Sequence, residues 1–193
     1  MCVIDWTAIW TGVLAFVAFG SFWLQWYFSR KQIREARESF DRSIDAQHEV
    51  SRIEIGTRLY LEMTDRLDSR KMRAARKRLA LQILRKAPDD EIDEDVMNFY
   101  EDMGALFFKG RMDEVLSYSG FSYDAIRWWA ACEPYIRRQR AGEEDPTFYE
   151  HFEAFASRMR AVDVTERKID IEKATPDAVE LFAFMQDEST QKD

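Results

Sequence analysis

Histidine and cysteine occur only twice each in this chain, proline four times and glycine seven times among 193 residues. Each shortage excludes something. Two histidines, His48 and His151, leave little for acid-base catalysis at neutral pH or for a metal site, which wants His and carboxylates converging from several elements. Two cysteines, Cys2 and Cys132, supply no disulfide framework. No P-loop, GxGxxG, CxxC, HExxH or GxSxG is present, so the commonest phosphate, dinucleotide, redox, zinc-protease and acyl-transfer signatures are missing. Few Gly and Pro residues favour long helices joined by short turns. No catalytic residue, cofactor or metal is therefore expected. The 36 acidic residues leave carboxylate chemistry open in principle, but no pair stands out.

Charge is missing altogether between Asp5 and Arg30, where the sequence reads WTAIWTGVLAFVAFGSFWLQWYFS. A helix needs about 20 apolar residues to cross a hydrocarbon core. Residues 6–29 are accordingly expected to form a single N-terminal transmembrane helix. Trp6 and Trp10 stand at one end and Trp23, Trp26 and Tyr27 at the other, the pattern of two interfacial aromatic belts. Arg30, Lys31, Arg34 and Arg37 crowd the far flank, so the positive-inside rule puts residues 1–5 outside and everything after the span in the cytoplasm. A cleaved signal peptide would want a positive leading region and a small-residue cleavage site, and neither flanks the run. Ala8 and Gly12 form one small-xxx-small pair, which lipid-facing helices also show.

The remaining charge is unevenly placed. Residues 1–29 carry −1, residues 30–86 carry +7 and residues 87–193 carry −14, for a total of −8 and a pI near 5.0. The basic part adjoins the expected membrane, where anionic headgroups favour it. The acidic total argues against a constitutive nucleic-acid binder.

Residues 30–56 read as an extended juxtamembrane helical stalk. Ile33, Ile44 and Ile55 recur at 11-residue intervals, with Phe40 and Leu59 near the same face, and Gly56 is the expected break before a helical domain over 57–162. Ser69 or Asp68 should cap a helix whose apolar face is Met72, Ala75, Leu79 and Ile83. Its other side carries Arg70, Lys71, Arg73, Lys77, Arg78 and Arg85. The acidic run Asp89 to Asp95 follows at once, so charge compensation within the chain competes with ligand binding there. A third helix from about Asp93 presents Val96, Phe99, Tyr100, Met103, Leu106 and Phe107, with Gly110 as its stop. A short helix from Met112 to Tyr118 should end at Gly120, and Ser122 should cap the next, which Pro134 should kink or divide. Asp145 with Pro146 reads as the start of another helix, with Phe148, Phe152, Phe155 and Met159 as its core face. Residues 163–193 read as a charged linker, a last short helix capped by Thr175 and presenting Val179, Phe182 and Met185, and a polar tail disordered from Asp187.

The segments RLYLEM, RAARKRL, VMNFYEDMGALFFKGRMDEV, the Trp128–Trp129 pair, PYIRRQR and PTFYEHFEAF resemble an uncharacterised family of bacterial, membrane-anchored helical proteins, a domain of unknown function, over about 57–161. These are helix-packing patterns, so the resemblance implies an all-α bundle and a bacterial inner-membrane setting, and assigns no site.

Three functions compete on these observations. The first is a membrane-tethered interaction or scaffold module that docks a protein partner or a second copy. Its candidate surface is Trp128, Trp129, Tyr135, Arg137, Arg138 and Arg140, because aromatic residues and Arg are enriched at interfaces; burial is the rival fate of both Trp residues, of Trp129 above all. The second is an anion-binding module using Arg70, Arg73, Lys77 and Arg78 on lipid headgroups or nucleic acid. An enzyme or a membrane-disrupting effector ranks last.

Overall fold

The structure, a computed structural model, describes residues 50–190 continuously and, before them, Trp26, Arg30, Gln32, Phe40, Ser43, Ile44 and 46–48. All regular structure among the described residues is helical, with no strand. The chain divides into two units, Met1–Ser51 and Arg52–Asp193. In the first, the described positions are all helical, and Arg30 stacks over the Trp26 indole at 4.1 Å. No helix of the described residues is long and apolar enough to cross a membrane. The expected span at 6–29, apart from Trp26, and part of the 30–56 stalk lie outside those residues.

The second unit begins with α1, helical through residue 67. Gly56 does not break it. That glycine is buried, and a methyl group there would come within 3.4 Å of the Arg111 carbonyl oxygen, so it marks a close approach. Leu59, Tyr60, Met63 and Leu67 turn inward. Ser69 Oγ then accepts from the Met72 amide at 3.2 Å and starts α2, Arg70–Leu84, as the capping pattern predicts.

A single 3-10 turn, Asp89–Glu91, leads into α3, Asp95–Phe108. Gly110 ends α3 at φ +65, with Gly110 N bonded to Phe107 O and Arg111 N to Leu106 O, a Schellman motif that needs a left-handed residue.

The next element departs from expectation. Helix α4 runs unbroken over Glu114–Glu143, capped by Asp113 rather than Ser122, and passes through both Gly120 and Pro134. A methyl group on Gly120 would lie 2.7 Å from the Tyr60 hydroxyl, so this glycine is a notch that admits α1. Pro134 is solvent-exposed, and buried Cys132, Tyr135 and Ile136 on either side hold the helix despite the missing amide.

Asp145 caps only a turn, accepting from the Thr147 amide at 2.9 Å. Helix α5, Glu150–Arg167, starts five residues later, after Tyr149 in the left-handed region, and runs past residue 162. The last helix, α6, covers Ala178–Thr190, so Asp187 and the residues to 190 are helical rather than tail. Its cap is Asp177, not Thr175: Asp177 Oδ1 accepts from the Val179 and Glu180 amides at 2.8 Å.

The core is a layer of α3 on α5 and α4 on α5, with α6 laid along α2. Phe99, Tyr100, Phe152, Phe155 and Met159 are fully buried, and Tyr100 stacks on Phe152 at 5.0 Å. Val179 and Phe182 of α6 are exposed, while Phe184 and Met185 face inward and Phe184 meets the Trp128 ring at 5.4 Å. The last helix therefore docks on its own bundle.

Candidate functional site

The aromatic and arginine surface expected on α4 resolves into ties within the chain. Trp128, not Trp129, is the fully buried member of the pair, which takes it off any surface; Trp129 is partly buried with its ring edge-on to Phe152 at 5.3 Å. Tyr135 is buried, and its hydroxyl donates to Glu94 Oε1 at 2.6 Å. Burial and that bond hold its pKa above the ordinary value. Arg137 pairs with Glu133 one turn back. Arg138 forks onto Asp89 with bonds of 3.0 and 2.7 Å, pulling the Asp89 pKa down. Arg140 donates to Phe148 O at 2.9 Å and to Glu153 at 2.6 Å, clamping the end of α4 to the start of α5.

The basic face of α2 is likewise engaged. Arg78 donates to Asp93 at 2.8 Å, Arg85 to Glu91 at 2.6 Å, and Arg73 to the Asp68 carbonyl at 2.6 Å, while Lys71 sits 3.6 Å from Asp95. Arg70 and Lys77 flank these on the same helix. The acidic run after Pro88 supplies much of the compensation that the spacing predicts.

A buried charge cluster was missed by the sequence reading. Arg76 of α2 is 7% exposed and lies 3.8 Å from Asp124 Oδ2 and 3.5 Å from Glu188 Oε2, joining α2, α4 and α6. Burial raises the Asp124 carboxyl above its ordinary value, against the pull of Arg76. The buried Tyr100 hydroxyl stands in the field of the same groups, and burial followed by the Asp124 charge pushes its pKa well up. Position 76 was readable: it falls four residues after Met72 and three before Leu79, inside the apolar face. Cys132 is buried nearby, and burial pushes its thiol up to about 12, which makes it inert.

One cleft of about 450 Å³ opens between α4, α5, the turns after α5 and the start of α6. Its walls carry Tyr118, Ser122, Tyr123 and Arg127 from α4, Asp163 and Arg167 from α5, Lys173 from the turns and Glu180 from α6. Tyr118 donates to Asp163 Oδ1 at 2.7 Å, which raises the Tyr118 pKa, and Arg167 sits 3.3 Å from the other Asp163 oxygen. The Arg127 guanidinium lies 3.5 Å above the Tyr123 ring, with one Nη donating to the Tyr123 carbonyl. A second, more open hollow of about 490 Å³ runs along Arg137, Arg140 and Pro146. Among the described residues no group of His, Cys, Asp and Glu is placed to hold a metal ion. His151 is tied instead to α3, with its Nδ1 2.8 Å from Glu101 Oε1, while the other Glu101 oxygen accepts from the Phe152 amide and caps α5.

A family model for a domain of unknown function, DUF4760, matches residues 15–159. The chain belongs to this family. The DUF4760 match begins 42 residues before the resemblance drawn from the helical domain alone, so it takes in part of the apolar run and the whole of 30–56. It stops before the end of α5, which leaves Arg167, Lys173 and all of α6 outside it. No curated protein and no solved structure matches the chain.

Proposed function

We propose that this chain is a membrane-tethered helical interaction module that pairs with a second copy of itself along α1. The observation that carries the reading is the unshared apolar side of that helix. Ile53 is 60% exposed and Leu61 57%, within about 80° of each other around a helix whose Gly56, Met63 and Leu67 are committed to the core, while Ile55 points about 200° away from Ile53 and lies outside that side. Phe40 and Val50 in the preceding unit are exposed as well. The expected anchor at 6–29 supplies the rest. Two copies held in one bilayer present α1 side by side and in the same direction, at an effective concentration that lets weak contacts count.

On this reading the anchor holds the bundle at the inner face of the bacterial cytoplasmic membrane, with residues 1–5 outside. The stack of Arg30 on Trp26 is the kind of contact an interfacial belt uses. Cross-linking of the full chain in native membranes tests the pairing. A dimer is expected, and Ile53→Asp together with Leu61→Asp should abolish it; a monomer before substitution, or a dimer indifferent to both changes, refutes it. The tether is tested separately by spinning lysed cells at high speed. Full-length chain in the supernatant, with its first thirty residues intact, ends that part of the reading.

A further inference from the structure

We propose that the cleft between α4, α5 and the start of α6 binds a small ligand carrying a single phosphate group. Its volume of about 450 Å³ lies within the range of small-molecule sites. What it offers a ligand is two cations free of ion pairs on the walls of one cleft. Elsewhere on this unit Arg78, Arg85, Arg138, Arg140 and Arg158 are each matched by a carboxylate of the chain. Arg127 and Lys173 have no carboxylate within ion-pair distance among the described residues, and both line this one cleft although they lie 46 positions apart. Lys109, Arg111, Arg160 and Lys168 of the same acidic segment also form no ion pair among the described residues, and Asp124 lies in the field of Arg127; what Arg127 and Lys173 have in addition is a shared cleft.

The arrangement also fixes direction. Tyr123 supports the Arg127 guanidinium from below and its carbonyl holds one Nη, so the fork is pre-set and loses little freedom on binding. A guanidinium held this way suits the paired oxygens of a phosphate, and Lys173 adds a point charge. Asp163 and Glu180 on the same walls disfavour a polyanion such as a triphosphate. They favour a phosphomonoester whose remaining body offers hydroxyl or amine donors to those carboxylates. Such a group is found on free sugar or nucleoside phosphates and at the headgroup of a membrane lipid, and the shared chemistry is what the cleft reads.

Calorimetry on the full chain in detergent micelles, titrated with glycerol 3-phosphate and with adenosine monophosphate, addresses the free source. Titration of the same micelles with short-chain phosphatidic acid, and with short-chain phosphatidylcholine as the control, addresses the lipid one. Saturable binding in either arm is expected, weakened about tenfold or more by Arg127→Gln and by Lys173→Gln and unchanged by Arg137→Gln outside the cleft. Binding of glycerol 3-phosphate or adenosine monophosphate assigns a free phosphomonoester; binding confined to phosphatidic acid, and lost in Lys173→Gln, assigns a headgroup. Hydrogen exchange on the unaltered chain, read with ligand added, should slow in α4 and in residues 171–176. No binding in any arm, or binding that both cleft substitutions leave intact, overturns the proposal.

Discussion

At the residue scale, the most demanding position is Gly104 of α3. A methyl group there would collide with the His151 backbone carbonyl, which cannot swing away as a side chain would. Gly104→Ala is expected to cost about 1–3 kcal/mol or more in chemical denaturation, the range for overpacked cores. Asp124 gives the pH-dependent counterpart. Its folded pKa is raised by burial, so the folded chain binds the proton more tightly than the unfolded one. Its contribution to stability is therefore fullest below the ordinary carboxylate range and declines as pH rises through the raised folded value. Asp124→Asn should flatten that decline in a series of unfolding curves, and an unaltered slope would contradict it. Single residues are also where the sequence misled. Arg76 was assigned to neither side of its helix, yet its place in the turn puts it inside, where the carboxylates of α4 and α6 match it.

At the element scale, the Ser69 cap, the Gly110 stop and the core faces of α2, α3 and α5 were legible, while the caps expected at Ser122 and Thr175, the helix start at Asp145 and the internal breaks were not. Ser69, Gly110 and the row Phe152, Phe155 and Met159 act locally, through one hydrogen bond, one backbone angle or one period, and a local reading finds them. Gly120 and Pro134 look like stops in isolation. The helix continues because Tyr60 fills the space at one and buried neighbours secure the other, and both are facts of packing that the line of letters does not carry. For α6 the register decided the matter. Val179, Phe182 and Met185 were the expected inner face; Met185 does go in, but with Phe184 and Glu188 beside it, while Val179 and Phe182 stay out. Phe184→Ala should cost about 3–5 kcal/mol, because the ring sits against Trp128 in a closed core. A loss below about 0.5 kcal/mol would mean that α6 is docked by its ends alone.

At the scale of the whole molecule, the uneven charge written into the chain becomes a bond between neighbouring pieces. The basic side of α2 faces the acidic stretch after Pro88 through Arg78, Lys71 and Arg85. These pairs are mostly exposed, so each is worth only about 0–1 kcal/mol and screening reaches them. Raising ionic strength from about 0.01 to 0.15 M shortens the Debye length from roughly 30 to 8 Å. The midpoint of thermal unfolding should fall by a few degrees over that interval, and a rise would show that repulsion within the −14 segment outweighs the attraction.

The missing side chain at Gly120 reaches further than its own turn. Like a keyway cut in a shaft, it accepts the Tyr60 ring at one angle only, with Phe121 seated edge-on beside it at 5.4 Å. The angle at which Tyr60 seats fixes how α1 is rolled about its long axis, and the roll decides which residues look outward. The side that Ile53 and Leu61 offer to a neighbour is thus dialled by an absent methyl group some sixty positions along the chain.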